Sequence, residues 1–233
     1  MSLVAIDIDS TLYDFETPFR QACFDLAFDK EEKDKETYFK AAYHSWVQWR
    51  SPADIDDRIF TEALAIVHSD DVIKSRPSFE GAVRVCNHIS DEHEIIYLTN
   101  RNETCTDATD VWLKGQGFPV GTLICTMEDK AQFLRECQFI IDDRPRTLVN
   151  FVTDFKWQRE MEFWNMYGWN EYANRAPRKG FSLMYDYNDN LTDCDNIYLA
   201  PTWGGIAHYL HKTGVLSGVD EEDVSCVRSR KEY

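Results

Sequence analysis

Short apolar runs alternate with amphipathic stretches along much of this sequence, and the two patterns predict different elements. Short apolar runs bounded by turn-forming residues indicate buried strands, whereas apolar residues recurring every three or four positions indicate helices. Strands are predicted in this way at residues 3–6, 94–99, 121–125, 137–141 and 196–200. Helices between or after the later strands are predicted at residues 79–89, 103–117, 130–136 and 203–212.

This alternation predicts an α/β fold, a doubly wound parallel sheet covered by helices on both faces. Right-handed crossovers bring the carboxyl ends of such strands to one edge of the sheet. Ligands bind at that edge in folds of this class. The side chains that directly follow the strands are therefore the first candidates for a functional site.

A charged stretch with helical character separates the first strand from the later α/β part. Helices are predicted within it at about residues 29–50 and at 53–68. An insertion at this place often forms a lid over a site. We therefore predict a small helical cap at residues 16–76, inserted after the first strand into an α/β core made of residues 1–15 and 77–215.

A second interruption, at about residues 151–180, is rich in aromatic side chains interleaved with charges. An amphipathic helical hairpin packed against the core is the favoured interpretation, ahead of a ligand cradle. A mixed aromatic surface could also be a dimer contact, which makes a homo-oligomer the alternative. Residues 216–233 are predicted to form a mobile tail.

The composition limits the classes of function. The 233 residues include 41 acidic and 25 basic side chains, and the net charge of −16 repels a phosphate backbone, so a dedicated nucleic-acid-binding protein is not expected. Seven cysteines without a CxxC pair predict a reduced, cytoplasmic protein. Neither a signal-peptide pattern nor an apolar run of membrane-spanning length is present in the sequence, so no membrane partner is expected.

Two carboxylates, Asp7 and Asp9, follow the first predicted strand. Side chains two residues apart share a face of a strand, so they would point the same way if the strand continued through them. Two like charges so close resist ionising together unless a cation lies beside them. Asp7-x-Asp9-x-Thr11 after an apolar strand resembles motif I of the haloacid dehalogenase-like (HAD) hydrolases. The resemblance implies that Asp7 is a nucleophile and Asp9 a general acid and base.

Three later segments resemble the other motifs of this superfamily, and the match covers about residues 3–150. Thr99-Asn100-Arg101 resembles motif II, in which the hydroxyl and the next backbone N–H, here those of Thr99 and Asn100, bind phosphate. A threonine that only satisfies the turn after a strand is the alternative. Lys130 resembles the motif III lysine, with Lys114 as the alternative candidate.

Asp142 and Asp143, at the tip of the fourth predicted strand, resemble motif IV. Carboxylates at two neighbouring strand tips form an oxygen-rich site suited to Mg²⁺. The resemblance implies that Mg²⁺ is held by the Asp7 side chain, the Asp9 backbone carbonyl and Asp142, with Asp143 assisting.

The stretch from Asp9 to Glu16 resembles the start of 5′(3′)-deoxyribonucleotidases, although Ser10 and Thr11 replace the Gly-Val of that family. The resemblance implies that Phe15 stacks on a nucleobase. A hinge residue packed beneath the cap is the alternative for Phe15. Trp46 and Trp49 of the predicted cap are candidates for an apolar wall of the substrate site, and Arg101 is assigned to the same substrate-facing group.

These residues together predict a Mg²⁺-dependent phosphomonoesterase that hydrolyses a nucleoside monophosphate, preferably a deoxyribonucleotide, through an aspartyl-phosphate. The expected partner is thus a small phosphate ester. A phosphatase of polynucleotide ends or of another small molecule is the alternative with the same chemistry. An inactive HAD scaffold that serves as an interaction module is the non-enzymatic alternative.

Overall fold

The computed structural model describes residues 1–27, 56–153, 178–183, 191 and 194–217. Within these residues a six-stranded sheet is flanked by helices, and all of its strand pairs are parallel. The strands are β1 (Leu3–Ile6), β2 (Glu94–Thr99), β3 (Thr122–Cys125), β4 (Cys137–Ile141), β5 (Lys179–Leu183) and β6 (Ile197–Ala200). The helices are α1 (Glu16–Ala27), α2 (Asp57–Val67), α3 (Asp70–Ser75), α4 (Ala82–Glu92), α5 (Thr106–Gln116), α6 (Pro145–Thr153) and α7 (Trp203–Lys212). The predicted α/β architecture is confirmed.

The strand order β3-β2-β1-β4-β5-β6 places the first strand in the middle of the sheet. Ile6, the last residue of β1, pairs with Tyr97 of β2 on one side and with Ile141 of β4 on the other. The sheet is buried because helices cover it, and each of these three residues is almost inaccessible to solvent. The carboxyl ends of β1, β2 and β4 therefore meet at one edge, next to each other.

Strand β5 was not among the predicted strands. Its sequence, Lys179-Gly180-Phe181-Ser182-Leu183, lacks the continuous apolar run that marks a buried strand, and it begins in the segment interpreted as a helical hairpin. Gly180 permits close packing of α6 on the sheet, because a Cβ there would lie 2.9 Å from Cδ2 of Leu148. Helix α6 ends at Thr153, and residues 154–177 of the aromatic segment lie outside the described residues.

The bounds of several predicted helices differ in the structure, and two of the differences lie in the α/β core near the site. The helix expected at 79–89 begins at Ala82, since Gly81 adopts a left-handed conformation with φ of 81° immediately before it. The helix expected at 130–136 is reduced to one 3₁₀ turn, Lys130–Gln132, in which the Asp129 carboxylate accepts from the Ala131 N–H. Lys130, the first residue of this turn, is buried in the core.

Helices α1, α2 and α3 lie in the segment predicted to be a cap. The first two pack together through aromatic rings, with Phe19 and Phe60 in an edge-to-face contact at 5.4 Å between centroids. Helix α2 begins at Asp57, four residues later than expected, after an N-cap by the side chain of Asp56. Trp46 and Trp49, the predicted walls of the substrate site, lie outside the described residues.

Among the helices that the structure describes, none is both long and apolar enough to cross a membrane.

Candidate active site

The loop after β1 carries the first two candidate residues. Strand β1 ends at Ile6, although the backbone N–H of Asp7 still donates to the carbonyl of Ile141 at 2.8 Å. The chain then turns, because Thr11 N–H and Leu12 N–H both donate to the carbonyl of Ile8. The turn separates the two carboxylates, and each finds its own partners. The strand does not continue through them, so the condition for both to point the same way is not met.

Asp7 lies beside a buried lysine and a second carboxylate. Lys130 Nζ lies 2.5 Å from Oδ1 of Asp7 and 2.8 Å from Oδ2 of Asp142, and all three side chains are buried. The Asp142 backbone N–H donates to the carbonyl of Phe181, which ties this carboxylate to β5. Lys114, the alternative candidate, instead pairs with Asp110 on the exposed face of α5. The structure therefore brings Lys130, and not Lys114, to the first aspartate.

The balance of burial and charge sets the protonation of this group. Burial raises the pKa of Asp7, Lys130 lowers it, and Asp142 and Asp9 raise it again, so that it stands at about 6. For Lys130, burial lowers the pKa, but the two carboxylates outweigh burial and the net shift is upward. Lys130 consequently remains a cation at neutral pH.

Asp7, Asp142 and Asp143 could together hold a metal ion. Each offers one carboxylate oxygen, these oxygens lie within 4.8 Å of one another, and all three residues are buried. Lys130 supplies one positive charge against three negative ones, so the cluster retains an excess of negative charge. Hard cations such as Mg²⁺ prefer oxygen ligands of this kind. The donor set and its charge fit the predicted ion, whereas the side chain of Asp9 is turned away toward other partners.

Asp9 is held by four hydrogen bonds. Its Oδ1 accepts from the Tyr13 hydroxyl at 2.6 Å and from Nη2 of Arg101 at 2.7 Å. Its Oδ2 accepts from the Thr99 hydroxyl and from Nε of Arg101, both at 3.0 Å. A carboxylate has about four acceptor positions, so these donors saturate it. We refer to Tyr13, Thr99 and Arg101 as the Asp9 clamp.

The clamp reverses the effect of burial on Asp9. Burial alone would raise the pKa of Asp9, but Arg101 and the other donors hold it well below its ordinary value. For Tyr13, burial raises the pKa well above its usual range, so its hydroxyl keeps the proton that it donates. Asp9 therefore stands in the structure as a carboxylate.

Two of the predicted phosphate-binding side chains have protein partners here. The Thr99 hydroxyl belongs to the clamp, and the Asn100 amide donates to the carbonyls of Thr126 and Glu128, both at 3.2 Å. The Asn100 side chain thus ties the end of β2 to the loop that leads to Lys130. Binding of phosphate by the Thr99 hydroxyl and by the Asn100 backbone N–H, which the resemblance implies, stays a prediction.

Phe15 lies in the core. It has no exposed surface, and its ring lies against Phe19 at 5.7 Å and against His68 at 5.2 Å between centroids. A ring in this position cannot stack on a nucleobase without leaving the core. The structure therefore corrects the base-stacking interpretation and favours a packing residue beneath the α1 and α2 helices.

The assignment of Arg101 to the substrate-facing group also needs correction. Its side chain has no exposed surface and is directed at Asp9, Tyr13 and Thr109. Motif II of the resemblance supplied no role for this arginine. Only the i, i+2 spacing of Thr99 and Arg101, which places both on one face of an extended chain, could have indicated a shared target.

Several residues near the two aspartates were not predicted from the sequence. His68, at the end of α2, places Nε2 at 3.8 Å from Oδ2 of Asp9. Trp203, at the start of α7, donates its indole N–H to the carbonyl of Thr11 at 3.0 Å, and the Thr11 hydroxyl lies 3.4 Å from Oδ2 of Asp7. Tyr13 is four residues from Asp9, but an isolated tyrosine carries no motif. These contacts arise from the tertiary fold and leave no local sequence signal.

No family model and no curated protein matches the sequence. Solved structures do resemble it. A hydrolase of the haloacid dehalogenase-like family from Streptococcus pneumoniae matches with a TM-score of 0.54 and 13% identity, over 90% of this chain and 98% of that one. A HAD family hydrolase from Deinococcus radiodurans with bound phosphate and sodium matches with a TM-score of 0.51 and 11% identity, over 94% and 99%.

A third structure, CbbY from Rhodobacter sphaeroides in complex with phosphate, matches with a TM-score of 0.51 and 12% identity, over 87% of this chain and 95% of that one. At such low identity the likeness establishes the fold alone. The chain thus has the HAD-like fold that the motifs implied, with the acidic cluster at the edge of the sheet where such folds bind ligands.

Proposed function

We propose that the protein hydrolyses phosphate monoesters through an aspartyl-phosphate on Asp7. The observation that supports this most is the assembly of Asp7, Lys130 and Asp142 in one buried cluster, with Asp9 on the same loop. A carboxylate nucleophile beside a fixed cation suits phosphoryl transfer, because the cation stabilises the charge on the transferred group. The phosphate in two structures of similar fold is consistent with this chemistry.

The proposed reaction has two steps, and its protons balance. In the first step, Oδ of Asp7 attacks phosphorus, the bond to the leaving oxygen breaks, and that oxygen keeps the electron pair and takes a proton from Asp9. In the second step, water attacks phosphorus and gives a proton to Asp9, while the electron pair of the P–O bond returns to the Asp7 carboxylate. Between turnovers Asp9 stands as a carboxylate, so the proton that it gains in the second step passes to solvent. The proton that it donates in the first step would come from solvent once the substrate has drawn the Thr99 hydroxyl away from Oδ2.

Lys130 and a bound metal ion would stabilise the negative charge of the transferred phosphoryl group. Lys130 would hold a phosphate oxygen against Asp7 and offset the negative charge of the cluster. Mg²⁺, held by Asp7, Asp142 and Asp143, would supply further positive charge to the transferred phosphoryl group. An inactive scaffold would have no need to bury three carboxylates and a lysine in contact, since such a cluster is costly to desolvate.

For the substrate we propose a nucleoside monophosphate, with a deoxyribonucleotide as the preferred form. The resemblance from Asp9 to Glu16 supports it, whereas the burial of Phe15 withdraws one contact on which that resemblance depended. The net charge of −16 favours a small substrate over a polynucleotide end, because a phosphate backbone would be repelled at long range.

A panel assay of phosphate release tests this function. The panel would contain nucleoside monophosphates, sugar phosphates, p-nitrophenyl phosphate and oligonucleotides with a terminal phosphate, at low salt with Mg²⁺ or with a chelator. We expect activity only with the metal, and nucleoside monophosphates preferred over oligonucleotides by more than about tenfold in kcat/KM, or about 1.4 kcal/mol. A preferred oligonucleotide would instead identify a phosphatase of polynucleotide ends. Full activity after chelation would refute the metal site.

A further inference from the structure

Among the residues that the structure describes, Arg101 is the largest charged side chain that is completely buried, and its contacts with the protein leave little for a ligand. Four of its five N–H donors are engaged: Nε with Asp9, Nη1 with the Thr109 hydroxyl, and Nη2 with both Asp9 and Tyr13. Its exposed fraction is 0%. A substrate could reach this guanidinium only if these contacts were broken.

We propose that Arg101 is a positioning residue, which fixes the carboxyl group of Asp9 for proton transfer and makes no contact with the substrate. This inference rests on the proposed phosphatase function and assigns Arg101 a role within it. The guanidinium donates to both oxygens of Asp9 in a planar, two-pronged arrangement, which fixes the plane as well as the location of the carboxyl group.

Arg101 is itself held from two directions. The Thr109 hydroxyl, on α5, accepts from Nη1 at 2.8 Å, and the Tyr13 oxygen accepts from Nη2 at 2.7 Å. The Tyr13 ring also lies under the guanidinium, 5.5 Å from its carbon to the ring centroid. These contacts join α5 to the loop after β1, so the orientation of Asp9 depends on a helix that does not itself carry a residue of the candidate site.

Oδ2 of Asp9 accepts from one donor besides Arg101, the Thr99 hydroxyl, and only Arg101 would keep its contact with Oδ2 during the reaction. The Thr99 hydroxyl has a single proton and can donate to one acceptor at a time. A phosphate oxygen that took this proton would free one acceptor position on Oδ2 of Asp9, while Arg101 would still hold both oxygens. Asp9 would thus gain access to the leaving oxygen without losing its orientation.

A double-mutant cycle of Asp9→Asn and Arg101→Met tests the proposal. Phosphate release is measured with a nucleoside monophosphate, whose leaving alcohol needs a proton, and with p-nitrophenyl phosphate, whose leaving group departs without one. We expect Arg101→Met to lower kcat for the nucleotide by about 100-fold, within the range of general acid–base catalysis, and to lower it for the aryl ester by at least about tenfold less. KM should change by less than about threefold.

In the Asp9→Asn background the same substitution should lower kcat for either substrate by less than about threefold, since its target is already gone. An equal loss in both backgrounds, or a tenfold rise in KM with kcat unchanged, would overturn the proposal and mark a direct contact with the substrate. Equal losses on the two esters would mark a structural role only.

Arg146→Met is the matched control, because it removes the same charge from the exposed face of α6 and should leave activity unchanged. The single variant Arg101→Met leaves the Asp9 carboxylate buried without its cation. If it does not fold for this reason, kcat of Asp9→Asn is compared with kcat of the double variant, which buries neither charge. A loss of less than about threefold supports the proposal, and a larger loss refutes it. Wild-type protein that releases no phosphate from any ester would refute the proposed function itself, whereas active wild-type protein with an additive cycle refutes only the role of Arg101.

Discussion

Asp7 and Asp9 stand two residues apart on one loop, yet their surroundings have opposite effects. Burial and neighbouring carboxylates prevail around Asp7 and raise its pKa to about 6. At Asp9 burial again opposes ionisation, but the clamp prevails and lowers the pKa well below the ordinary value. The contrast shows that burial alone does not set the charge of a carboxylate, since both groups are equally buried.

The contrast also separates two tasks. Asp7 shares its lysine with Asp142 and belongs to a cluster with an excess of negative charge, which suits a metal and a nucleophile. Asp9 forms its ion pair with Arg101, which pairs with no carboxylate of that cluster, and its side chain is directed away from the cluster. Two carboxylates with different surroundings can serve as nucleophile and proton carrier without exchanging roles.

Replacing the nucleophile should have the largest effect. Asp7→Asn should lower kcat by more than about 10⁴-fold on every ester, because an amide cannot form the acyl-phosphate. Phosphate release and trapping with beryllium fluoride measure this loss. Asp14→Asn is the control, since Asp14 lies exposed on the same loop, where it caps α1 by accepting from the Thr17 N–H. Wild-type turnover by Asp7→Asn would refute the mechanism.

Removing the lysine should have the next largest effect. Lys130→Met leaves Asp7 and Asp142 buried without their cation, and we expect kcat to fall by about 100-fold or more at saturating Mg²⁺. Lys114→Met removes a lysine from an exposed ion pair on α5. It should leave kcat unchanged and should change the free energy of unfolding by no more than about 1 kcal/mol. Equal effects of the two substitutions would show that the buried cation does not act on the reaction.

The opposite pKa shifts predict opposite dependences of stability on pH in the metal-free protein. Because the folded state raises the pKa of Asp7 from 3.8 to about 6, it binds the proton more tightly than the unfolded state. Unfolding free energy should therefore increase as pH falls from about 7 to 4, by up to about 3 kcal/mol, and Asp7→Asn should remove this increase. Denaturant unfolding at several pH values measures it.

Asp9 should show the reverse dependence. Its lowered pKa means that the unfolded state binds the proton more tightly, so its contribution to stability is complete above about pH 4 and is lost as pH falls further. The difference in stability between wild-type protein and Asp9→Asn should shrink in that acidic range. A difference that grew with acid would contradict the clamp.

The smallest expected effect concerns one donor of the clamp. Tyr13→Phe removes a hydrogen bond to a buried carboxylate and should cost about 1.5–3 kcal/mol of unfolding free energy. Tyr97→Phe is matched to it, because it removes a buried hydroxyl that donates to the neutral carbonyl of Pro119 at 3.0 Å, and should cost about 1 kcal/mol. Equal costs would mean that Asp9 carries no charge there.

The sequence was sufficient to predict five of the six described strands and the edge of the sheet at which the acidic residues meet. Apolar runs predict strands, and the crossover rule then brings the tips of β1, β2 and β4 together without further information. Strand β5 escaped prediction because Lys179, Gly180 and Ser182 interrupt its apolar pattern. This segment forms a strand because it pairs with β4 and β6 in the folded sheet.

In the site, too, residues with a local sequence pattern could be predicted and residues placed by the tertiary fold could not. Motif residues that follow strands, such as Asp7, Lys130 and Asp142, are indeed assembled in one cluster. Tyr13, which donates to Asp9, and Trp203, which donates to the carbonyl of Thr11, were not predictable, because neither belongs to a local pattern. Phe15 shows that a motif position can also mislead. Its place in the resemblance predicted a contact with a nucleobase, but its side chain is buried in the core.

The hydrogen bond from Trp203 to the carbonyl of Thr11 has a consequence for biosynthesis. It joins residues that are 192 positions apart, so the loop that carries Asp7 and Asp9 is synthesised long before the helix that fastens it. At translation rates of about 5–20 residues per second, the interval is on the order of 10–40 s. A nascent chain would thus possess its reactive carboxylates early but gain their final support only when α7 has been made.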